Sequence, residues 1–326
     1  MSGAAAAGLL PGLAKAAASD SWQAEFAAAL GKNPYLEGWR GTAQETLSAS
    51  NLPIEGKLPA GLRGVFYRNG PARHEVGGLR YHHWFDGDGM VQSFRFTDQG
   101  ISHLGRFVRT EKYAAELAAG RALRHGFGTQ VPNAQPTVNP DFLNVANISI
   151  LPHHGELLAL WEGGSAYKLD PETLDTLGIK VWRPDLKGVP FSAHPKVDPN
   201  GTLWNFGRDS INSRLVLYQI SRSGEVLKVG LVQGSEIGME HDFAVTSRHM
   251  LFLLAPLRFS KDRAAQGASF LDSHEWVDGR AMRVLAIDKN DLATTQIFEL
   301  PAGFMFHFGN AWEDAAGVIR FDYVRY

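Results

Sequence analysis

The chain has 326 residues, of which 44% are apolar and 20% are charged, a balance that is ordinary for a globular protein. The formal net charge is −2 and there is no basic stripe, so no nucleic-acid partner is expected. Cysteine is absent, which excludes disulfides and thiolate metal sites, so a tightly held metal must use histidine, aspartate or glutamate.

The first 32 residues are rich in alanine and predict a variable N-terminal extension that contains a frayed helix around residues 4–7 and 16–18. The first cation is Lys15, which follows the apolar stretch, whereas a secretory signal carries its basic residues before it. We therefore expect a cytoplasmic protein. The longest apolar runs, such as residues 250–256, are too short to span a bilayer.

Short strands begin after residue 51. Residues 65–68, 90–97 and 101–108 have the alternation or the β-rich composition typical of strands. Residues 111–124, rich in alanine, leucine and glutamate, predict a helix, and a turn-rich segment follows as far as residue 140.

A loose repeat begins after residue 145. Each unit has three or four short strands joined by polar turns, and the corresponding turns fall at Asp170, Ser221 and Asp288, which are 51 and 67 residues apart. The longer interval contains residues 258–279, which we interpret as an inserted polar loop. A steady period near fifty residues favours the blades of a β-propeller over a β-sandwich of similar strand density, and about five blades fit in this chain.

Three of the twelve histidines stand out by context: His194, His241 and His307. Each lies beside or just before a strand-like run that opens a blade, and such strands line the central channel of a propeller. One imidazole from each of several blades would then converge on the axis, where iron, zinc, copper or nickel are all suitable ions. For each residue the alternative is a buried histidine bonded to a neighbouring backbone group.

Strand alternation refines the placement of His307. It predicts that Met305, His307 and Gly309 share one face, so that the phenylalanines 304, 306 and 308 pack between blades. The other histidines are interpreted as structural. Residues 86–89, with the sequence Asp-Gly-Asp-Gly, are not a calcium loop because Thr97 occupies the twelfth position, and they predict a tight hairpin turn.

Two motifs then connect the chain with a known family. The first is Leu-Pro-Ala-Gly-Leu-Arg-Gly at 58–64 with Tyr-Arg-Asn-Gly-Pro at 67–71, and the second is Trp-Phe-Asp-Gly-Asp-Gly-Met at 84–90. In this order they resemble motifs of the carotenoid cleavage oxygenase family, whose members are similar to the retinal pigment epithelial membrane protein. The surroundings of the three histidines are similar to those of the first three iron ligands of that family. The resemblance extends over residues 33–326.

The resemblance implies an all-β fold, a seven-bladed β-propeller with a helical cap. Residues 33–326 would form a propeller domain that is incomplete at its C-terminus, since the fourth histidine and about two blades of the family are missing. It implies Fe(II) as cofactor, with His194, His241 and His307 as metal ligands. Glu162 would accept a hydrogen bond from the free ring N–H of a ligand and so fix its tautomer. This chain would then be either a fragment of a longer protein or a non-functional remnant.

The implied reaction is the oxidative cleavage of a conjugated C=C bond of a carotenoid or apocarotenoid by O2, which yields two carbonyl products. Phe107 and Phe306 would line the substrate tunnel, and residues 111–140 would form part of the cap. The cap would contact a membrane surface where the lipophilic polyene resides, which places a cytoplasmic protein at the periphery of the inner membrane.

Three alternatives stay open. Relatives that cleave stilbenes have a phenol-contacting tyrosine where this chain has Phe107, which favours a carotenoid substrate. An inactive propeller fragment used only as a binding module would hold no iron and would tolerate His194→Ala. A zinc hydrolase with three histidines and a water would contain zinc and consume no oxygen.

Overall fold

The computed structural model describes residues 11–209, 212–234 and 237–326. Strands dominate these residues, while the helices are few: α1 (Pro11–Lys32), α2 (Glu111–Ala119), α3 (Lys261–Ala265) and short 3₁₀ helices at Pro34–Trp39, Trp84–Asp86, Pro140–Leu143 and Pro184–Leu186. The part of the frayed helix predicted at residues 4–7 lies outside the described residues. No helix in the described part of the chain has both the length and the apolarity that crossing a bilayer requires.

The strands are short, as the turn-rich sequence predicts. In chain order they are β1 (Thr46–Ala49), β2 (Gly64–Arg73), β3 (Glu75–Val76), β4 (Leu79–Arg80), β5 (Asp88–Thr97), β6 (Gly100–Phe107), β7 (Ser149–His153), β8 (Glu156–Leu160), β9 (Tyr167–Leu169), β10 (Thr176–Ile179), β11 (Lys196–Val197), β12 (Leu203–Asp209), β13 (Arg214–Ile220), β14 (Val226–Gln233), β15 (Ala244–Val245), β16 (His249–Leu254), β17 (Leu257–Phe259), β18 (His274–Trp276), β19 (Met282–Asp288), β20 (Thr295–Leu300), β21 (Phe308–Glu313) and β22 (Ile319–Tyr323).

Four antiparallel sheets of four strands follow one another along the chain. Sheet 1 has the order β1-β6-β5-β2, sheet 2 the order β10-β9-β8-β7, sheet 3 the order β11-β12-β13-β14, and sheet 4 the order β15-β16-β19-β20. A last hairpin pairs β21 with β22. In sheets 2 and 3 each strand pairs with the next one in the chain. Between β16 and β19 of sheet 4, β17 and β18 form a separate hairpin in the segment that we interpreted as an inserted loop.

Successive sheets pack face to face through alternating side chains. Leu157 of β8 belongs to a buried cluster with Val91 of sheet 1. The next residue, Leu158, points to the other face of the sheet and joins a cluster with Leu203 of sheet 3. Similar clusters join sheet 3 to sheet 4 and sheet 4 to the last hairpin. Sheets 2, 3 and 4 therefore pack against a neighbour on both faces, as the blades of a propeller do.

The all-β class and the propeller fold are confirmed, and the predicted strands agree with the observed ones to within a few residues. The number of blades stays a prediction. The predicted boundary at residue 33 also stays a prediction, but the end of α1 contacts the domain. Trp22 Nε1 donates to the carbonyl of Tyr81 at 3.3 Å, and the Arg80 guanidinium lies 3.4 Å from the ring centre of Phe26.

The predicted helix at residues 111–124 is shorter than expected. Thr110 caps its first turn by accepting a hydrogen bond from the backbone N–H of Tyr113 at 3.1 Å. The helix ends at Ala119 because Gly120 adopts φ 62°, a left-handed conformation that glycine takes at little cost. The residues beyond it form irregular structure.

The buried face of α2 carries charge, and a cluster of two cations and two carboxylates holds it on sheet 1. Lys112 Nζ lies 2.8 Å from Glu116 and 3.2 Å from Asp88, while Arg73 lies 2.7 Å from Asp88. All four side chains are less than 10% exposed. Burial opposes the charge of Lys112, but Asp88, Tyr81 and Glu116 raise its pKa well above the ordinary value. The charges of the cluster thus compensate one another.

We expect Lys112→Met to destabilise the fold, because it leaves two buried carboxylates with one cation. The free energy of unfolding should fall by about 3–5 kcal/mol, the usual effect of removing one partner from a buried ion pair. Denaturant unfolding followed by circular dichroism measures the change. The control is Arg95→Met in the exposed pair with Glu172, which should cost less than about 1 kcal/mol. Equal effects of the two changes would contradict the prediction.

Candidate metal centre

The three histidines singled out in the sequence occupy equivalent places in successive sheets. His194 lies two residues before β11, His241 three residues before β15, and His307 immediately before β21. Each therefore precedes the strand that opens its sheet. Because the sheets pack face to face in order, the same end of each opening strand faces the same region, and the three side chains meet there.

The imidazoles form one compact group. One ring nitrogen from each histidine can be chosen so that the three lie within 4.8 Å of one another. Nε2 of His194 is 2.8 Å from Nε2 of His241. The ring centre of His307 is 5.1 Å from that of His194 and 5.0 Å from that of His241. His241 is nearly buried, His194 is half-buried and His307 is exposed.

The environment favours the neutral form of His194 and His307, the form that binds metals. Burial and the neighbouring His241 lower the pKa of His194 to about 4. The same two causes, in the same order, lower the pKa of His307. An uncharged ring keeps a lone pair on one nitrogen for coordination.

Glu162, on the turn after β8, contacts the centre from sheet 2. Its Oε2 is 2.5 Å from Nδ1 of His241, so the carboxylate can hold the proton on Nδ1 and leave the lone pair of Nε2 facing His194. Although burial raises the pKa of Glu162, His241 and then Arg208 lower it to about 2. The carboxylate therefore stays charged and acts as an acceptor.

Arg208 of β12 is a component that sequence reasoning missed. Its guanidinium lies 3.8 Å from Glu162, donates to the carbonyl of Glu240 at 3.4 Å, and lies 4.9 Å from the ring centre of Phe270. The side chain is buried and compensates the charge of Glu162. No local sequence motif indicates this role, because Arg208 lies 46 residues from Glu162 in the sequence.

These residues fit a transition-metal ion. Bonds of about 2.0–2.1 Å from a metal to imidazole place two adjacent ligand nitrogens on one ion about 3 Å apart, and the observed separation for His194 and His241 is 2.8 Å. The donor set contains imidazole nitrogens alone, which suits iron, zinc, copper or nickel. The second nitrogen of His241 already has a carboxylate partner, as metal-binding histidines usually do.

Half-buried phenylalanine rings form an aromatic wall beside the histidines, and we define it as Phe85, Phe127, Phe270 and Phe306. Phe306 lies edge-on to His241, with 5.5 Å between ring centres, and 6.3 Å from Phe85. Phe127 continues the wall, 5.2 Å from Phe85 and 5.7 Å from Phe270. The phenylalanine rings of the wall give the metal centre an apolar border, with the ring of Tyr326 5.9 Å from that of Phe306.

The Asp-Gly segment at residues 86–89 does not form the predicted hairpin turn, so that prediction is wrong. The segment supports the aromatic wall instead. Trp84–Asp86 is a 3₁₀ helix, and β5 begins at Asp88. Asp86 is buried and accepts hydrogen bonds from the backbone N–H of Phe127 and Gly128 and from the hydroxyl of Thr129. Buried partners 40 residues away, which a local pattern does not reveal, made this conformation more stable than a turn.

The two predicted tunnel residues have different environments. Phe306 lies in the aromatic wall, whereas Phe107 is 2% exposed and stacks on Tyr113 at 5.2 Å between ring centres. The alternation expected for residues 304–308 is wrong, because the strand begins only at Phe308. As a result Phe306 faces His241, and only Phe308 packs between sheet 4 and the last hairpin.

Other histidines have structural partners. His249 contacts Glu313 at 2.8 Å, and His274 Nδ1 contacts the carbonyl of Phe270 at 2.8 Å. A groove of about 610 Å³ lies apart from the three histidines, between β20 and the last hairpin, and Phe298 and Phe321 line it. The candidate centre is assigned to the three histidines because of the chemistry of their side chains, and the lining of the groove does not include them.

Comparisons with known proteins agree with this geometry. The family model described as retinal pigment epithelial membrane protein matches residues 40–326. Carotenoid cleavage oxygenase 1 of Neurospora crassa is 31% identical over 83% of this chain and 52% of its own length. Apocarotenoid-15,15'-oxygenase of Synechocystis is 32% identical over 82% of this chain and 57% of its own length. The chain thus spans between half and three fifths of these relatives.

Other matches broaden the range of chemistry. Isoeugenol monooxygenase of Pseudomonas putida is 30% identical over 88% of this chain and 60% of its own length. Among solved structures, cobalt-substituted Synechocystis apocarotenoid oxygenase is similar with a TM-score of 0.80 and 31% identity. The match covers 89% of this chain and 63% of that one. That neighbour contains a metal site, as its cobalt substitution indicates.

We expect the purified chain to bind one equivalent of cobalt(II), and His241→Ala to abolish this binding because it removes the nitrogen donor that contacts both His194 and Glu162. Isothermal titration calorimetry measures the stoichiometry and affinity. The control is His154→Ala, which removes an exposed imidazole from the turn between β7 and β8 and should leave binding unchanged. Cobalt binding that survives His241→Ala would contradict the prediction.

Proposed function

Because the chain belongs to the carotenoid cleavage oxygenase family, we propose that it carries the metal centre of a non-haem Fe(II) dioxygenase. The proposed reaction cleaves a conjugated C=C bond of a carotenoid or apocarotenoid to two carbonyl products. The observation that carries the proposal is the group of three imidazoles within 4.8 Å, with a carboxylate on the second nitrogen of one of them. The proposed ligands are His194, His241 and His307.

A bound ferrous ion would supply the electrons that allow O2, which is otherwise slow to react, to attack a C=C bond. The residues of the chain prepare the place for it. Glu162 holds a proton on Nδ1 of His241, so that Nε2 offers its lone pair. Although burial opposes it, His241 and then Arg208 lower the pKa of Glu162, so its carboxylate stays charged. Neutral ligands leave the positive charge of the ion uncompensated, which stabilises negative charge that develops beside it.

The aromatic wall supports a polyene as the substrate. Its four phenylalanine rings offer apolar faces for a conjugated chain and exclude water from the region beside the histidines. Phe306 borders His241 directly, so a molecule that lies along the wall reaches the metal centre. A stilbene-cleaving oxygenase is the second candidate, since relatives include resveratrol cleavage oxygenase 1 of Aspergillus fumigatus. It would need a polar partner for the phenol, and the wall residues carry none.

We also propose a peripheral contact with the inner membrane through the segment that contains α2. This helix turns Lys112 and Glu116 into the protein and leaves Leu117 47% exposed. Val138, further along the same segment, is 82% exposed. Apolar side chains that face outward on the segment that also carries Phe127 of the aromatic wall would allow a lipophilic substrate to pass from a bilayer into the protein.

We expect the complete gene product, reconstituted with Fe(II), to consume O2 in the presence of an apocarotenal and to form two aldehydes. An oxygen electrode and mass spectrometry with ¹⁸O2 measure uptake and label. Oxygen uptake with a hydroxystilbene alone would favour the second candidate. Zinc in the purified protein and no oxygen uptake would favour a hydrolase. A protein that holds no metal and tolerates His194→Ala would indicate a binding module.

Phe306→Ala should lower kcat/KM for the apocarotenal about tenfold, because it removes an aromatic face worth about 1.4 kcal/mol beside the reacting bond. Steady-state kinetics measures the change. Phe298→Ala, which truncates a ring that is 49% exposed on β20, serves as the control and should have no effect. Equal losses in both variants would show that Phe306 does not contact the substrate.

A further inference from the structure

Asp242 follows His241, and its carboxylate is 3% exposed. It accepts three hydrogen bonds that share a property: each donor belongs to a segment that carries one of the three histidines. The backbone N–H of Phe243 donates to Oδ1 at 2.8 Å from within the segment of Asp242 itself. The other two donors come from different sheets.

The first of these donors is Lys196, the opening residue of β11, two residues after His194. Its Nζ lies 2.8 Å from Oδ1 of Asp242. The second is the backbone N–H of Phe308, the residue after His307, which lies 2.9 Å from Oδ2. One carboxylate therefore connects sheet 3 and the last hairpin through sheet 4.

We propose that Asp242 is a positioning residue that ties the three histidine-bearing segments together and so sets the mutual placement of their imidazoles. The tie uses charge-assisted hydrogen bonds in a place with little solvent, where such bonds are strongest. This inference rests on the proposed function in one respect, because it takes the three histidines to be the metal ligands.

The segment of His307 depends most on this tie. His307 is exposed and opens a sheet of two strands, whereas His194 and His241 open sheets of four. Within its own hairpin, the carbonyl of His307 accepts a hydrogen bond from the N–H of Val324 at 3.1 Å. Toward sheet 4, the bond from Phe308 to Asp242 fixes the chain one residue from the imidazole. Its loss would free His307 to move away from the other two ligands.

Three variants separate position from charge. Asp242→Ala removes both acceptor oxygens. Asp242→Asn keeps one acceptor oxygen and turns an N–H group toward the remaining donor. Lys196→Met removes the cation and leaves the bond to Phe308 intact. The control is Asp291→Asn, in a carboxylate that accepts hydrogen bonds from Ala293 and Thr294 in the turn between β19 and β20, outside the three histidine-bearing segments.

The test uses the full chain and cobalt(II) alone as the probe. We expect Asp242→Ala to weaken cobalt binding about 10–100-fold, the range usual for residues that orient metal ligands. The visible absorption spectrum of the bound ion should also change. Asp242→Asn should weaken binding about tenfold, Lys196→Met by less than about threefold, and Asp291→Asn not at all. Wild-type affinity and spectrum in Asp242→Ala would overturn the inference.

A second readout needs no metal. In the metal-free protein, the amide of Phe308 should exchange hydrogen about tenfold faster in Asp242→Ala than in wild type, since it loses its acceptor. Amides of β16 should keep their rates. If Asp242→Ala does not fold, Asp242→Asn gives the answer on both measurements. A wild-type chain that binds no cobalt would contradict the proposed function. Unchanged hydrogen exchange at the Phe308 amide in Asp242→Ala would contradict the positioning role of Asp242.

Discussion

The contact between Nδ1 of His241 and Glu162 is the interaction on which the site depends. Glu162 lies on the turn after β8 of sheet 2 and His241 lies just before β15 of sheet 4, so the contact joins segments of two sheets between which sheet 3 lies in chain order. It can form only if three sheets stack in register with their turns at one end. The alternating apolar side chains of β8, which face sheet 1 and sheet 3 in turn, provide that stacking. The packing of the scaffold therefore determines the chemistry of one imidazole.

Much of this architecture could be predicted from the sequence, because it rests on local patterns. Alternation located the strands, and the repeat of polar turns located the sheets. The three histidines could be selected because each precedes an opening strand, and the structure brings them together. What could not be predicted depends on partners distant in the chain. Arg208 and Phe127 have no motif of their own and matter only because of what the fold places beside them.

The errors have the same origin. The Asp-Gly steps at 86–89 have the local signature of a hairpin, but buried N–H groups from residues 127 and 128 bind Asp86 and stabilise a 3₁₀ helix. Alternation failed at Phe306, because the pattern extends from residue 304 whereas the strand starts only at Phe308. Ligands and wall residues lie just outside the strands, where side chains no longer alternate between two faces. A strand-based prediction is therefore most accurate for the scaffold and least accurate for the site.

Two residues of the aromatic wall, Phe85 and Phe127, are carried by a different part of the chain from the histidines, whereas Phe306 is the neighbour of His307. Phe85 and Phe127 lie on connections around sheet 1 and α2, while the three histidines open sheets 3 and 4 and the last hairpin. Substitutions in the first region would thus change which molecule is accepted and leave the proposed metal ligands unaltered. Such a division would let relatives as different as an apocarotenoid oxygenase, an isoeugenol monooxygenase and a resveratrol cleavage oxygenase share one kind of centre.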